Sequence, residues 1–247
     1  MNFYKSIASY YEYIFLFNLR QADFLCEEKI NIGKFLDLGC ATGSLCIEMK
    51  KRLFNCTGLD LDEEFIKICQ KKDNEINFLC ENMLNVGKLF DNNQFDLISC
   101  FGNTLSHITK NEYIQKFFND IFNILKNKSV FSCQILNYDR ILKQNINTLP
   151  LIDNENVKFK RKYKIREDGL LDFNTELLIK ELLIKELLSK ESEEIIKNSV
   201  ILNPIKYEDI KKMLINAGFT NIKFYEDFNK NPFNIETSYP LIFVAQK

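Results

Sequence analysis

The chain of 247 residues is 46% hydrophobic and 27% charged, and 33 Lys and Arg against 34 Asp and Glu leave a net charge of -1. This excludes a disordered or fibrous chain and allows one large domain, or one domain with an insertion, whose core needs no disulfide or metal staple. The charge balance argues against bare nucleic acid as the main partner. The eight cysteines form no C-x-x-C pair, and with the single histidine, His107, they offer no zinc-type ligand set. Reduced thiols in a cytoplasmic chain without a metal are therefore expected. The start MNFYKSIASYYEYIF has no apolar secretory core, and no apolar run is long enough to predict a membrane span.

Residues 1–30 read as one or two helices rich in rings (Tyr4, Tyr10, Tyr11, Tyr13, Phe15, Phe17). That ring-bearing face either packs on the domain or closes over a ligand as a lid. From 34 to 136, short apolar runs alternate with helical patterns. The runs are KFLDL (34–38), CTGLD (56–60), INFLC (76–80), FDLISC (95–100) and VFSCQIL (130–136). Helices are expected at 44–53, 62–72 and 110–126, the last with Tyr113, Phe117, Ile121 and Leu125 at i+4. The alternation predicts an α/β, doubly wound, mostly parallel sheet.

The rhythm breaks at 151–203. VKFKRKYKI (157–165) has period two, with Arg161 on the face of Val157, Phe159, Tyr163 and Ile165 and four lysines on the other. Asp168-Gly169 supplies a turn and LLDFNTELLIK returns, giving an antiparallel hairpin. The lysine face is either solvated and paired with Asp172, Glu176 and the acids of 191–194, or a patch for an acidic substrate. The repeat ELLIK-ELLIK-ELLSK (176–190) has helical composition without an apolar stripe, and as a strand it needs a bulge or a turn. PIKYEDIKKMLINA (204–217) reads as a helix with Pro at its start and Gly218 at its end. TNIKFYED (220–227) and SYPLIFVAQK (238–247) read as an antiparallel hairpin at the sheet edge, the second strand unpaired at its start by Pro240.

The informative segment is FLDLGCATGSLCIEM (35–49), where a strand carrying Asp37 turns through Gly39-Cys40-Ala41-Thr42-Gly43 into a helix. Glycine admits the backbone conformations and close ligand approach that side chains block, at the end of the sheet where α/β folds bind ligands. A nicotinamide loop would read G-x-G-x-x-G, but position 41 is Ala, and Asp37 would repel a pyrophosphate while suiting an ammonium group. Asp60 ends the second strand, where a carboxylate accepts both hydroxyls of a ribose; Asp62, followed by Glu63 and Glu64, fits the helix cap instead. The third strand exits into Asn82-Met83, a polar group for a purine edge beside an apolar one for its face. The fourth exits into Phe101-Gly102-Asn103, which lets backbone approach the same crevice.

In combination, the D-x-G-x-A-x-G loop, the acid after strand two, the polar–apolar pair after strand three and FDLI on strand four resemble the class I S-adenosylmethionine-dependent methyltransferase family across residues 35–136. The resemblance implies a seven-stranded sheet with its last strand antiparallel, S-adenosyl-L-methionine as cofactor and S-adenosyl-L-homocysteine as product. The cofactor set it implies is Tyr11, Asp37, Gly39, Ala41, Gly43, Asp60, Leu61, Asn82, Met83 and Phe101. Asp37 and Gly39 belong to the methionine end, Asp60 to the ribose, Asn82 and Met83 to the adenine. Asn82 stands where many members carry Asp, and Ala41 where a glycine is usual. ASYYEYIF resembles the A-x-x-Y-D-x-I start of small-molecule members, with Glu12 in place of Asp and Tyr11 toward the cofactor carboxylate.

The β insertion and the closing AGF…FVAQK pattern resemble the glycine and sarcosine N-methyltransferases, in which the insertion roofs the acceptor pocket. The expected organisation is a methyltransferase domain of 1–150 and 204–247, with 1–30 as lid, and an inserted antiparallel β subdomain at 151–203. The expected reaction is in-line methyl transfer to N or O of a small molecule, by a monomer or homodimer. His107 and Tyr138 are candidate catalytic groups; Asn103, Gln134, Asn137 and Arg140 are candidate acceptor ligands, Arg140 for a carboxylate. Ser99-Cys100-Phe101-Gly102 replaces the [DNS]-P-P-[FYW] run of amino-methylating nucleic-acid enzymes, and no Pro-Cys nucleophile is present. The rival readings are a non-catalytic cofactor-binding module and a nicotinamide-dependent oxidoreductase.

Overall fold

The computed structural model describes residues 4–28, 32–180 and 194–247. Strands β1 (Lys34–Leu38), β2 (Asn55–Asp60), β3 (Asn77–Cys80), β4 (Phe95–Cys100) and β5 (Leu125–Leu136) run parallel. With β10 (Thr220–Tyr225) and β11 (Pro240–Gln246) they form a seven-stranded sheet in the order β10-β11-β5-β4-β1-β2-β3, β11 being antiparallel to both neighbours. Phe35 through Leu38 and Leu97 through Cys100 are continuously buried, as strands covered on both faces must be. Helices α3 (Ser44–Lys51), α4 (Glu63–Lys72), the short α5 (Val86–Leu89) and α6 (Asn111–Ile124) lie in the crossovers. Ile114, Phe117, Phe118, Ile121 and Ile124 give α6 one continuous buried stripe. The chain thus forms the expected doubly wound α/β fold. Its strand order reverses on either side of β1, so a crevice opens at the carboxyl ends of β1 and β4.

A second, four-stranded antiparallel sheet consists of β6 (Ile152–Asp153), β7 (Val157–Ile165), β8 (Leu171–Ile179) and β9 (Glu194–Leu202). Val157, Phe159, Leu177 and Ile179 pack with Ile7, Tyr10 and Ile14 of the N-terminal segment, whereas Tyr163, Leu171 and Leu202 join the main core. Two lysines of the lysine face are ion-paired, Lys158 with Asp153 at 3.1 Å and Lys160 with Glu176 at 2.8 Å. The N-terminal segment comprises a 3-10 turn (Lys5–Tyr10), α1 (Tyr11–Ile14) and α2 (Arg20–Glu28).

Four boundaries depart from the sequence pattern. The C-terminal helix (Tyr207–Ala217) expected from Pro204 instead begins at Tyr207, because the Asp139 carboxylate on another element accepts the Tyr207 N–H at 2.8 Å; it ends, as expected, on left-handed Gly218 (φ +101°). The β7–β8 link runs over residues 166–170, longer than a two-residue turn, with Arg166 N–H bonded to the Leu170 carbonyl at 2.9 Å. Pro240 is paired, in register with Leu136, since the first residue of a strand tolerates a missing N–H. Leu125 opens β5 rather than extending α6. Within the 176–190 repeat, Glu176–Ile179 complete β8, with Leu177 and Ile179 on one buried face; residues 181–193 lie outside the described residues.

Candidate active site

A cavity of about 780 Å³ lies at the carboxyl ends of β1, β2, β4 and β5, walled by the N-terminal segment and by β7–β9. Its floor is the loop after β1. The Gly39 and Cys40 N–H groups bond to the Leu59 carbonyl at 2.8 and 3.0 Å, which folds the loop against β2. Gly39 has φ +73°, and a Cβ there would lie 2.5 Å from the Thr104 side chain. Ala41 is also left-handed (φ +46°), a conformation costing an L-residue roughly 1–2 kcal/mol. Asp60 offsets that cost: its Oδ2 accepts the Ala41 N–H at 2.9 Å and its Oδ1 the Asp62 N–H at 3.0 Å. Asp62 caps the next helix through the Glu64 N–H, as its position suggested.

Two carboxylates thus meet in one crevice. Asp37 is buried and accepts the Ser99 hydroxyl at 2.6 Å. Burial pushes its pKa up to about 7, against the lowering effect of Ser99. Burial likewise pushes Asp60 up to about 6. Among the described residues neither has a cationic side chain at ion-pair distance. The unmet interaction is therefore one a ligand with a positive charge and hydroxyl donors would supply.

Further round the wall, Asn82 Oδ1 accepts the Leu84 N–H at 2.9 Å, so the Asn82 amide presents its N–H donors to the cavity, beside Met83. Tyr11, Leu61 and Phe101 line the same space. Glu12 points away from it. Its Oε1 accepts the hydroxyls of Thr42 (2.9 Å) and Ser44 (2.8 Å) and pairs with Lys72, fastening α1 to the loop after β1.

On the other side of the cavity stands His107. Burial lowers its pKa to about 4, and its Nε2 shares a 2.8 Å hydrogen bond with the Tyr4 hydroxyl. A neutral ring already bonded in this way is a poor general base near neutral pH. Gln134 Oε1 accepts the Gly102 N–H at 2.9 Å, leaving the Gln134 amide N–H groups to the cavity. Asn103, left-handed at φ +69°, lines the cavity edge, but its amide donates to the Tyr138 hydroxyl at 2.9 Å and its oxygen accepts the Leu136 N–H at 3.0 Å.

Four of the sequence-derived candidates lie outside this cavity. Tyr138 is buried behind Asn103. Asn137 caps the helix Tyr138–Lys143 and donates to the carbonyls of Ile235 (3.0 Å) and Ser238 (2.9 Å). Arg140 lines a separate cavity of about 470 Å³ that shares Leu149 and Tyr239 with the first. Gly43 (φ +78°) opens α3, where a Cβ would meet the Phe78 ring at 2.9 Å. Conversely, Tyr4, Arg161, Tyr163 and Tyr239 line the cavity without having been singled out as site residues. For Arg161 a signal existed: a charge on the apolar face of a period-two strand. The other three carry no comparable mark.

Residues 35–128 match a family described as a methyltransferase domain. The chain is 34% identical over 102 residues to the Bacillus subtilis protein named "Putative methyltransferase YqeM", a match spanning 40% of each chain. A Geobacillus protein of the same designation is 25% identical, over 87% of this chain and 84% of its own. Among solved structures, an S-adenosylmethionine-dependent methyltransferase from Clostridium acetobutylicum superposes with a TM-score of 0.80 at 21% identity, covering 98% of both chains. The S-adenosylmethionine-bound amino pentose methyltransferase CalS10 from Micromonospora echinaspora superposes at 0.69 with 13% identity, covering 100% of this chain and 98% of that one. Over residues 35–128 the chain thus matches a methyltransferase domain, and over nearly all its length it has the fold of the S-adenosylmethionine-dependent methyltransferases on which it superposes. Among the described residues there is no helix long and apolar enough to cross a membrane and no cluster of metal-ligating side chains.

Proposed function

We propose that this protein transfers the methyl group of S-adenosyl-L-methionine in line to a nitrogen or oxygen of a small molecule held beneath the four-stranded sheet. The observation that carries the reading is the pair of buried acids, Asp37 and Asp60, without cationic partners in a cavity that continues past them into a chamber walled by aromatic rings. Asp37 and Gly39 would hold the amino-acid end of the cofactor with Tyr11 close by, and Asp60 its ribose hydroxyls. The free Asn82 amide would donate to the adenine edge, between Met83, Leu61 and Phe101. Ala41 and Gly43 act here through backbone shape, the first in the wall and the second behind it. Bound there, the cofactor supplies an electrophilic methyl on a sulfonium sulfur.

The chain's own contribution is alignment and exclusion of water. Fixing two reactants in line is worth up to ~7–11 kcal/mol of barrier, so no strong base is required. His107, held neutral, orients the acceptor with Tyr4, while Gln134 offers an amide to it. Asn103, Tyr138 and Asn137 position the wall. In this organisation residues 1–150 and 204–247 form the cofactor-binding domain, with the first thirty as lid, and 151–203 roof the acceptor. An acceptor of small-molecule size agrees with the amino pentose substrate class in the name of CalS10.

Isothermal titration with S-adenosyl-L-homocysteine tests the reading. The wild-type chain binds it, and Asp60→Ala weakens binding by about tenfold or more. Absence of binding at millimolar ligand, or equal affinity in the variant, removes the proposal.

A further inference from the structure

Arg161 extends from β7 into the end of the cavity remote from the loop after β1, among Leu149, Phe159, Tyr163 and Tyr239. Its surroundings set it apart from three of the other four arginines, Arg140 being the exception. Arg20, Arg52 and Arg166 each pair with a carboxylate. Arg161 has none among the described residues. One terminal N–H donates to the Pro150 carbonyl at 2.7 Å, and the guanidinium carbon stands 5.8 Å from the Phe159 ring centre. The Nε is buried with no hydrogen-bond partner. The residue opposite in β8 is Thr175, not an acid.

A buried donor without a partner and a half-buried cation without a counter-ion both cost folding free energy. Arginine offers Nε–H and one terminal N–H as a parallel pair that fits the two oxygens of an oxyacid. Burial raises the phenol pKa of Tyr239, so its hydroxyl keeps its proton as a donor in the same wall, while the Tyr163 hydroxyl bonds to Tyr138.

Resting on the methyltransferase reading, we propose that the acceptor carries a carboxylate, received by the guanidinium of Arg161 at the chamber's far wall. One guanidinium among aromatic rings balances a monoanion; a phosphate dianion would bring a second charge with no partner in that wall. The acceptor is thereby anchored by its acid end, with its methylated atom directed back toward Asp37 and Phe101.

The test uses benzoate, benzamide and phenyl phosphate as probes, titrated calorimetrically into the full-length protein saturated with S-adenosyl-L-homocysteine. Benzoate is expected to bind, and isosteric benzamide to bind about tenfold more weakly or less. Arg161→Gln loses benzoate affinity by about tenfold or more while keeping that for S-adenosyl-L-homocysteine, which reports an intact fold. Arg161→Lys, with charge but without the planar pair, falls between. Failure of the wild type to bind benzoate, equal affinity for benzoate and benzamide, or equal benzoate affinity in Arg161→Gln overturns the proposal. Tighter binding of phenyl phosphate than of benzoate overturns the choice of carboxylate. If S-adenosyl-L-homocysteine itself does not bind, the methyltransferase reading fails, and the same titrations on the ligand-free protein still judge Arg161 as an anion site.

Discussion

Asp37 binds a proton in the folded chain up to about pH 7, because burial disfavours its charge, whereas its ordinary value is 3.8. Between those values the native state holds more protons than the unfolded state, so this group's contribution to stability falls as pH rises from about 4 to about 7. Asp37→Asn keeps an oxygen for the Ser99 hydroxyl and removes the titration. The variant should match the wild type near about pH 4 and melt higher at about pH 8, by several degrees, the ceiling being on the order of 4 kcal/mol. Parallel melting curves by calorimetry at both pH values would refute this. The same variant should bind S-adenosyl-L-homocysteine more weakly at about pH 8, where the carboxylate is ionised. At this scale the sequence placed both acids at the carboxyl ends of strands but was silent about their hydrogen bonds. The position of Asp60 after β2 was readable, but its grip on the left-handed Ala41 N–H depends on a loop conformation that residue identities do not encode.

The βα units were legible because apolar period and turn residues agreed within each of them. The N-terminal segment was not, since its aromatic residues follow no clean period and its shape is set by partners. Ile7, Tyr10 and Ile14 pack on the four-stranded sheet, and Glu12 ties α1 to Thr42, Ser44 and Lys72. The N-terminal segment and the four-stranded sheet therefore share one apolar cluster. Ile14→Ala, at a site only 4% exposed, should cost ~2–5 kcal/mol and speed S-adenosyl-L-homocysteine release, because the emptied volume loosens the lid. Stopped-flow dissociation measures this; an unchanged off-rate would show that the lid moves independently of the sheet beneath it. The insertion was readable as antiparallel from the alternation in 157–165, yet its docking was not: which of its faces meets the lid and which the main core follows from long-range packing.

Across the molecule one core spans both sheets, with Tyr163, Leu171 and Leu202 sharing a cluster with Leu36, Ile98 and Phe131. Asn203, at the exit from β9, fastens the junction: its N–H donates to the Ser106 carbonyl at 2.8 Å and its amide to Asn111 at 2.9 Å and the Ile108 carbonyl at 3.2 Å. Asn203→Ala should cost ~1–3 kcal/mol and lower Tm by about 2–4 °C for each, with unfolding still a single transition. Two separated transitions by calorimetry would mean that the sheets are independent units. The seven-strand order was foreseeable only through the family likeness, since composition and periodicity do not say that the last strand inserts beside β5.

Asn137 gives that insertion a further meaning. Its amide holds the carbonyls of Ile235 and Ser238, and its N–H takes the Tyr239 carbonyl at 3.1 Å, so the link between β10 and β11 hangs from the exit of β5. Tyr239, carried by that link, forms part of the far chamber wall. Insertions or exchanges within 226–236 would remodel that wall while the glycine-bearing loop at the opposite end stays as it is. One end of the cavity is thus built on the loop after β1 and the other hangs in part on a surface link, so exchanges in that link can reshape one end without disturbing the other.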